Sequence, residues 1–250
     1  MMKAVFIDRD GTIGGGNDVT LPKDFQRFPF TQQALELLKN HGFMLIAFTN
    51  QPDISRGKCR MEDFEQELAT FGFDDTCICP HQQEENCRCR KPGTLMITEM
   101  AKKYKLNLSE CFVIGDRWSD MLAGMRAGTK TVLVLTGAGR DALGVDRDKW
   151  DSGRVSYIAD DLLAACKWII RTRVENDMKR YSKASLIGII ISLLAVLISV
   201  VNIIYCAING EPMNSAITIL CSTIAILCSN IAIAESNKKK PKELARSKNI

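Results

Sequence analysis

The sequence predicts an α/β domain built on a parallel sheet, followed by a transmembrane hairpin of two helices. Up to residue 165, short apolar runs alternate with stretches of helical periodicity, the pattern of a parallel sheet covered by helices. Residues 184–210 and 212–234 then contain no charged side chain, and each run exceeds the roughly 20 residues that cross a bilayer. The predicted parts are a domain over 1–165, a charged linker helix over 166–183, spans over 184–208 and 213–234, and a basic tail over 235–250.

The strands and helices of the first part follow from their residue patterns. Buried parallel strands are expected as short continuous apolar runs. Such runs occur at 4–8, 43–50, 111–116 and 130–137. Helical spacing of apolar residues occurs over 31–42, 61–72, 94–106 and 121–128. Gly42 and Gly128 end two of these stretches, where glycine commonly caps a helix, and a further charged helix over 162–183 leads into the uncharged runs.

The composition indicates a folded chain whose charge is unevenly distributed. The 250 residues are 46% hydrophobic and 25% charged, which excludes a disordered or collagen-like protein. The net charge of +4 conceals 21 basic and 24 acidic residues in 1–165, against 12 basic and 5 acidic residues in 166–250. The acidic first part argues against a nucleic-acid partner. The opening MMKAVFIDRD does not resemble a signal peptide, so a reducing, cytoplasmic compartment is expected for this part.

Three of the predicted strands end in polar residues, namely Asp8, Thr49 and Asp116. Ligands of parallel α/β sheets bind beyond the carboxyl ends of the strands, so these side chains are expected to meet at one site. A lone Asp or Thr in such a place commonly caps a helix or a turn. Three in one sheet, with Asp10 two residues after Asp8, favour a functional cluster instead.

The carboxylates of this cluster predict magnesium and phosphoryl chemistry. Clustered carboxylates repel one another unless a cation joins them, and a set of oxygen ligands favours Mg²⁺. A carboxylate such as Asp8 can attack phosphorus to form an aspartyl-phosphate. A second one, Asp10, can protonate the leaving oxygen. Thr49 and Lys91 would stabilise the charge on the phosphoryl oxygens.

Four segments resemble the motifs of the haloacid dehalogenase (HAD) superfamily: DRDGT at 8–12, FTNQ at 48–51, RKP at 90–92 and GDRWSD at 115–120. The resemblance covers residues 3 to about 165 and implies a Rossmann-like sheet with a minimal cap. It also implies a role for each site residue. These are Asp8 as nucleophile and magnesium ligand, Asp10 as general acid/base and carbonyl ligand of magnesium, Thr49 and Lys91 as phosphoryl-binding groups, Asp116 as a third magnesium ligand and Asp120 as its support from a second shell.

A cluster of cysteines predicts a second metal. Its spacing is C-x-H-x5-C-x-C, and three thiolates with one imidazole form a closed tetrahedral set for structural Zn²⁺. The four ligands would be Cys79, His81, Cys87 and Cys89. Cys77 could replace Cys79 in this set, and the alternative is that several of these residues are ordinary buried or surface cysteines. Because the loop leads into Arg90 and Lys91, zinc would fix where those two cations point.

This zinc loop resembles the subgroup that contains D-glycero-D-manno-heptose 1,7-bisphosphate phosphatase and histidinol-phosphate phosphatase. The five residues between His81 and Cys87 are as few as in the histidinol-phosphate enzymes, whereas segments 49–58 and 132–137 resemble the heptose enzymes. The resemblance implies a small phosphorylated metabolite as substrate, most closely a sugar (bis)phosphate. The expected substrate-binding residues are Gly16, Asn17, Asp18, Val19, Asn50, Gln51, Arg90 and Arg117.

The charges around the two uncharged runs predict their orientation. Six basic residues lie in 166–183 and six in 235–250, whereas the connection between the runs carries only Glu211. The positive-inside rule then places both ends in the cytoplasm and the connection outside. The runs could alternatively form a buried hairpin in a soluble protein, and the tail could pair with itself in a homo-oligomer. The main alternative to an enzyme is a membrane-anchored effector module that senses a phosphorylated ligand.

Overall fold

The chain forms two compact units, Met1–Ile170 and Arg171–Ile250. The computed structural model describes the backbone of residues 3–210, 212 and 214–246. It describes the side chains of these residues except those of 179–182, 184 and 235–246. Glu211 and residues 247–250, part of the expected connection and basic tail, lie outside the described residues.

One sheet of six parallel strands forms the centre of the first unit, in the order β3-β2-β1-β4-β5-β6. The strands are β1 (Lys3–Ile7), β2 (Phe43–Asn50), β3 (Asp75–Cys79), β4 (Phe112–Gly115), β5 (Lys130–Val134) and β6 (Tyr157–Ala159). The helices between them are α1 (Thr31–Asn40), α2 (Met61–Thr70), α3 (Leu95–Tyr104), α4 (Trp118–Ala127) and α5 (Gly139–Leu143). Short 3₁₀ turns lie at Pro22–Asp24, Gln83–Glu85, Leu108–Glu110, Arg147–Lys149 and Ser152–Arg154.

Two layers of apolar side chains cover the two faces of the sheet. Successive residues of β1 point to opposite faces, as the period of a strand requires. Val5 belongs to the layer that includes α1, and Phe6 belongs to the layer that includes α3 and α4. Both faces of β1 are therefore buried, which explains why its sequence is a continuous apolar run.

The parallel α/β fold predicted from the sequence is confirmed, and the differences lie at its edges. The prediction omitted β3, β6 and α5. It began the fourth helix at residue 121, whereas α4 begins at Trp118. The two omitted strands are the edges of the sheet, and the three residues of β6 include two exposed side chains, so neither has the long apolar run of a central strand.

The second unit contains most of the first long helix and all of the second. Helix α6 runs without interruption over Leu162–Asn209, so the expected linker helix and the expected first span are parts of one helix. Helix α7 covers Asn214–Arg246. By length and composition, Ser185–Asn209 and Asn214–Ala234 could each cross a membrane.

Small and polar side chains join α6 to α7. Ser192, Ser199 and Cys206, seven residues apart along α6, are buried, and Ala216 is buried on α7. Asn230 donates a hydrogen bond to Ser192 Oγ at 2.7 Å. This bond pairs the early part of one apolar segment with the late part of the other, so the two segments run antiparallel.

Candidate active site

A cavity of about 500 Å³ opens at the carboxyl ends of the central strands. Asp8 follows β1, Thr49 and Asn50 end β2, and Asp116 follows β4, so the sheet brings together residues that are far apart in sequence. The predicted site residues on its wall are Asp8, Asp10, Asn17, Asp18, Val19, Thr49, Asn50, Arg90, Lys91 and Arg117. The wall also includes Cys87, which was predicted as a zinc ligand, and residues that were not predicted, namely Gln83, Asn86, Pro92, Trp118 and Ser119.

Apart from the zinc ligands, four predicted site residues are placed away from the cavity wall. Gly16 is exposed beside the cavity. Gln51 is fully buried, and its Nε2 donates to Asp10 Oδ2 at 2.7 Å and to Thr49 Oγ1 at 2.9 Å. Gln51 therefore orients Asp10 and Thr49 through hydrogen bonds from the protein interior. The sequence predicted that Gln51 contacts substrate, whereas the structure places it off the cavity wall. Asp116 and Asp120 are also fully buried, behind the residues that line the cavity.

Lys91 is the centre of a buried ionic cluster. Its Nζ lies 2.7 Å from Asp8 Oδ1, 2.5 Å from Asp120 Oδ1 and 2.9 Å from the carbonyl oxygen of Phe48. Burial alone would lower the pKa of Lys91, but the charges of Asp120 and Asp8 outweigh it and raise that pKa. The lysine is therefore a cation held directly against the predicted nucleophile.

Asp120 contacts Lys91 directly, which the sequence did not suggest. Besides pairing with Lys91, its Oδ2 accepts the backbone N–H of Arg117 at 2.9 Å at the start of α4. Burial raises the pKa of Asp120 to about 6, although Lys91 acts in the opposite direction. The expected support of a magnesium site by Asp120 stays a prediction, and the structure adds an ion pair between Asp120 and Lys91.

Only one of the two carboxylate oxygens of Asp116 accepts a hydrogen bond from the described residues. Its Oδ2 accepts the backbone N–H of Ala138 at 2.7 Å, whereas Oδ1 is buried without a hydrogen-bond partner among the described residues. Burial, and then the charges of Asp8 and Asp120, raise the pKa of Asp116 well above its usual value. An unpartnered buried carboxylate oxygen is costly unless a ligand uses it.

Two glycines that the sequence argument missed make room for Asp116. A Cβ atom on Gly11 or on Gly137 would lie 2.2 Å from Asp116 Oδ2. Both glycines also have positive φ, at 79° and 53°, which side chains rarely adopt. Gly11 belongs to the DRDGT segment, and Gly137 follows the strand β5. Their only signal in the sequence is their place immediately after predicted site residues or strands.

Asp10 is held on both carboxylate oxygens. Its Oδ1 accepts from Arg9 Nη1 at 2.8 Å and from the backbone N–H of Thr20 at 2.9 Å, and its Oδ2 accepts from Gln51. Burial raises the pKa of Asp10, although the charge of Arg9 opposes that shift. A raised pKa suits a carboxyl group that must carry a proton during a reaction.

The segment after the first motif borders the cavity. Gly14 bridges to Asp10 on one side and to Arg27 on the other, so the backbone folds back on itself here. The guanidinium of Arg117 donates to the carbonyl oxygen of Asn17. The residues around Asn17 are thereby connected to the start of α4 across the cavity.

The predicted zinc residues form a compact cluster. The Sγ atoms of Cys79, Cys87 and Cys89 lie 3.4–3.6 Å apart, and His81 Nδ1 lies 3.2 Å from Cys89 Sγ and 3.6 Å from Cys79 Sγ. Metal–sulfur bonds of about 2.3 Å in a tetrahedron separate two sulfur atoms by about 3.8 Å. The cluster is therefore close to the size that one tetrahedral zinc ion requires, and these four residues fit it.

Cys77 lies outside this cluster. Its thiol is buried and contacts the carbonyl oxygen of Met96 at 3.6 Å, on the helix side of β3. Cys77 and Cys79 point to the same face of the sheet, and two residues of strand, about 6.6 Å, separate them along β3. Of the two alternatives left open by the sequence, the structure brings Cys79 into the four-residue group.

The cysteine cluster is connected to Lys91 through Arg90. The backbone N–H of Arg90 donates to Cys87 Sγ at 3.4 Å, and its Nη1 donates to the carbonyl oxygen of His81 at 3.0 Å. Burial would raise the pKa of the Cys87 thiol, but the Arg90 N–H and the neighbouring thiols lower it. The next residue is Lys91, whose N–H donates to Asn50 Oδ1 at 3.1 Å.

A second group of ligands lies at the carboxylate cluster. One oxygen each of Asp8, Asp116 and Asp120 lie within 4.8 Å of one another. The open Oδ1 of Asp116 and the all-oxygen donor set fit a hard divalent cation such as Mg²⁺. Both oxygens of Asp120 are engaged, by Lys91 and by the N–H of Arg117, whereas Lys91 contacts only Oδ1 of Asp8. Asp8 and Asp116 are therefore the carboxylates better suited to contact such an ion.

The chain is similar to several known proteins. Residues 88–165 match the family model Hydrolase_like, described as HAD-hydrolase-like. The D-glycero-beta-D-manno-heptose-1,7-bisphosphate 7-phosphatase of Helicobacter pylori is 40% identical over 148 residues, covering 54% of this chain and 83% of that protein. The protein of the same name from Pasteurella multocida is 38% identical over 154 residues, covering 55% and 84%. The histidine biosynthesis bifunctional protein HisB of Campylobacter jejuni is 38% identical over 146 residues, covering 51% of this chain and 40% of that protein.

Solved structures show the same likeness. The structure of D,D-heptose 1,7-bisphosphate phosphatase from B. bronchiseptica, complexed with magnesium and phosphate, superposes with a TM-score of 0.60 and 27% identity. The match covers 68% of this chain and 99% of that one.

Proposed function

Because this chain belongs to the haloacid dehalogenase-like phosphatases, we propose that it hydrolyses a small sugar bisphosphate through an aspartyl-phosphate on Asp8. The preferred substrate is D-glycero-D-manno-heptose 1,7-bisphosphate or a close relative. The observation that carries the proposal is the position of Asp8, which faces the cavity and lies 2.7 Å from the buried ammonium group of Lys91.

Asp8 is the proposed nucleophile. One of its carboxylate oxygens attacks phosphorus, the bond from phosphorus to the substrate oxygen breaks, and the phosphoryl group is transferred to Asp8. Water then attacks the acyl phosphate, which releases phosphate and restores the carboxylate. Lys91 orients Asp8 before the attack by donating to one of its two carboxylate oxygens, Oδ1, at 2.7 Å.

Asp10 is the proposed general acid and base. It donates a proton to the leaving oxygen in the first half of the reaction and accepts one from water in the second. Its raised pKa, caused by burial, favours the protonated form that the first half requires. General acid–base catalysis of this kind contributes about 10²–10⁴-fold to the rate.

Thr49, Asn50 and Lys91 are the proposed contacts of the transferring phosphoryl group. Thr49 and Asn50 end β2 on the cavity wall, and Lys91, which carries the ammonium group, lines the same cavity. Positioning and electrostatic stabilisation dominate phosphoryl transfer, so a hydroxyl, an amide and an ammonium group around one point suit this reaction.

We assign the magnesium site to Asp8, Asp116 and the backbone carbonyl of Asp10. When bound there, Mg²⁺ would neutralise phosphoryl oxygens and align the phosphorus with the nucleophile. The unpartnered Oδ1 of Asp116 supports this assignment. The magnesium reported with the B. bronchiseptica relative supports it as well.

Zinc is proposed to be structural, with Cys79, His81, Cys87 and Cys89 as its ligands. All four positions of a tetrahedral ion are then occupied by protein, which leaves no open position for chemistry. The two hydrogen bonds of Arg90 to this cluster support a role in placing Arg90 and Lys91 at the cavity.

Two arginines on the cavity wall suit a substrate with a second anionic group. Arg90 and Arg117 lie on the same wall as the predicted phosphoryl contacts, in a cavity whose volume of about 500 Å³ is typical of small-molecule sites. Histidinol phosphate, which lacks a second phosphate, is the alternative substrate. The short zinc loop and the similarity to HisB favour it.

We further propose that Ser185–Asn209 and Asn214–Ala234 cross the membrane as a hairpin, with both ends in the cytoplasm. Both helices have the required length and composition. The large apolar side chains that they expose support a lipid environment. The phosphatase domain would then act at the cytoplasmic face.

A substrate screen tests the activity. Full-length protein in detergent, supplied with Mg²⁺, is assayed on heptose 1,7-bisphosphate, heptose 1-phosphate, histidinol phosphate and 3′-phosphorylated DNA. We expect the highest kcat/KM for the bisphosphate and loss of activity with EDTA. A higher kcat/KM for histidinol phosphate would replace the proposed substrate, and activity on DNA alone would contradict a metabolite as substrate.

Cysteine labelling tests the topology. In a variant whose tail cysteines are replaced, Asn209→Cys should react with an impermeant thiol reagent added to intact cells, whereas Ser236→Cys should not. The opposite labelling pattern, or recovery of the full-length protein in the soluble fraction, would contradict the hairpin.

A further inference from the structure

Arg9 is a buried charge for which the proposed reaction has no use. It stands between the two aspartates of the first motif, and its side chain is 0% exposed. A guanidinium remains charged under all ordinary conditions and has five N–H donors, so burying it requires partners of matching geometry. The positions of those partners show what the charge does.

Arg9 bridges three separate segments. Its Nε and Nη2 donate to the two carboxylate oxygens of Glu67 on α2, at 2.7 and 2.9 Å. Its Nη1 donates to Asp10 Oδ1 at 2.8 Å and to the carbonyl oxygen of Thr20 at 2.7 Å. The ring of Phe25 lies 3.7 Å from the guanidinium carbon. Bidentate pairing on one edge and ring contact on one face restrict the group to a single orientation.

The orientation of Asp10 follows from that of Arg9. Asp10 Oδ1 accepts from Arg9 and from the N–H of Thr20, and the carbonyl of Thr20 accepts from the same Arg9 nitrogen. Arg9, Asp10 and Thr20 thus form a closed ring of hydrogen bonds. Thr20 lies just after the cavity residues Asn17, Asp18 and Val19, so this ring connects the proposed acid to the segment that borders the substrate.

We propose that Arg9 is a positioning residue that, anchored by Glu67, holds Asp10 in the orientation required for proton transfer to the leaving group. It touches neither the cavity nor the proposed nucleophile, and it acts through Asp10. The inference rests on the proposed role of Asp10 as general acid. Lysine could keep the charge at this position, but it could not reproduce the simultaneous contacts to Glu67, Asp10 and Thr20.

The test compares leaving groups in full-length protein. p-Nitrophenolate leaves without a proton, whereas phenolate, whose conjugate acid has a pKa near 10, benefits from one. We expect Arg9→Lys to reduce kcat for phenyl phosphate about tenfold more than kcat for p-nitrophenyl phosphate, in the same direction as Asp10→Asn. Arg9→Met should show the same preference with a larger loss. Arg60→Lys, which changes an exposed arginine paired with Asp63, is the matched control and should alter neither rate.

Glu67→Gln provides a second route if the Arg9 variants do not fold. It keeps the shape of the anchor, removes its charge and leaves Asp10 untouched, so a smaller loss with the same leaving-group preference is expected. If Asp10→Asn discriminates between the two substrates, equal losses on both in Arg9→Lys and Glu67→Gln, or no loss in either, would overturn the positioning role alone. If Asp10→Asn shows no discrimination, the general-acid role fails, and the role of Arg9 fails with it.

Discussion

The two units of this chain place polar and apolar side chains in opposite ways. In the first unit, Asp8, Arg9 and Asp116 are almost or fully buried, and each is held by specific partners or poised for a ligand. In the second unit, the buried positions of the apolar segments include Ser192 and Ser199, whereas Ile198 and Ile208 are 69% and 78% exposed. The first unit follows the rules of a protein in water, and the second has small polar groups inside and large apolar groups outside.

The difference shows which interaction organises each unit. Water drives apolar side chains into the two layers around the sheet, and buried charges such as Arg9 and Lys91 are offset by ion pairs. In the proposed lipid environment no such drive would act on the apolar helices, which would then associate through small residues and side-chain hydrogen bonds.

Removing the charge of Asp8 should have the largest effect. Asp8→Asn replaces the nucleophilic carboxylate by an amide of the same shape, so kcat for p-nitrophenyl phosphate should fall by at least about 10³-fold while the fold persists. Steady-state rates, thermal unfolding and mass spectrometry to exclude deamidation provide the measurement. Asp24→Asn, an exposed change outside the cavity, is the control. Substantial turnover by undeamidated Asp8→Asn would remove the aspartyl-phosphate mechanism.

A methyl group beside Asp116 should weaken magnesium activation. Gly137→Ala places a Cβ 2.2 Å from Asp116 Oδ2, so the Mg²⁺ concentration for half-maximal activity should rise about tenfold or more. Gly128→Ala is a matched control, because Gly128 also has positive φ, at 82°, but has open space around its Cα. Both variants should lose about 1 kcal/mol of stability from backbone strain. An equal magnesium requirement in both would show that strain, rather than the contact with Asp116, matters.

Disrupting the cysteine cluster should lower stability first and activity second. Cys87→Ser removes one of four proposed ligands and the acceptor of the Arg90 N–H, so zinc content, melting temperature and kcat should all fall. Cys77→Ser is the internal comparison, because Cys77 lies in the core outside the cluster and should leave zinc content unchanged. Metal analysis of protein purified without chelators measures the outcome. Absence of zinc in the unaltered protein would exclude the site.

Replacing the amide between the two apolar helices should have a modest effect. Asn230→Leu removes the hydrogen bond to Ser192 and should destabilise the hairpin by about 1 kcal/mol, as expected for hydrogen bonds within membranes. Asn202→Leu is the matched control, because Asn202 is exposed on the outer face of α6. Unfolding in detergent micelles measures both. If the two variants were equally destabilised, the contact with Ser192 would not be what joins the helices.

Removing the tail should affect turnover least of all. Deletion of residues 181–250 should give a soluble enzyme whose kcat on small substrates changes by less than about twofold, because every proposed catalytic group lies in the first unit. Fractionation and steady-state rates against the full-length protein measure the effect. A large loss of kcat in a folded, soluble truncation would mean that the second unit contributes to the site.

Much of the fold was predictable because the central strands have a distinctive pattern. Strands β1, β2, β4 and β5 are buried on both faces, so their sequences are continuous apolar runs that need no context to be identified. The edge strands β3 and β6 have one neighbour each and more mixed sequences. Cys77 and Cys79 in particular suggested metal ligands rather than a strand, although Cys79 both ends β3 and belongs to the four-residue cluster.

The sequence by itself determined which chemical groups are available and roughly where the chain places them. Polar residues after apolar runs predicted Asp8, Thr49 and Asp116 at one edge, because the ends of parallel strands meet there. Charge asymmetry around two uncharged runs likewise predicted an orientation of the hairpin.

Only the tertiary structure decided the contacts between these groups. Gln51 donates to Asp10, Asp120 pairs with Lys91, and Arg9 connects Asp10 to Glu67. The paired residues Gln51–Asp10, Asp120–Lys91 and Arg9–Glu67 are each separated by 29 or more residues of chain. No local pattern encodes such distances. They arise when the sheet closes and each buried charge must find the partner that offsets its lost hydration.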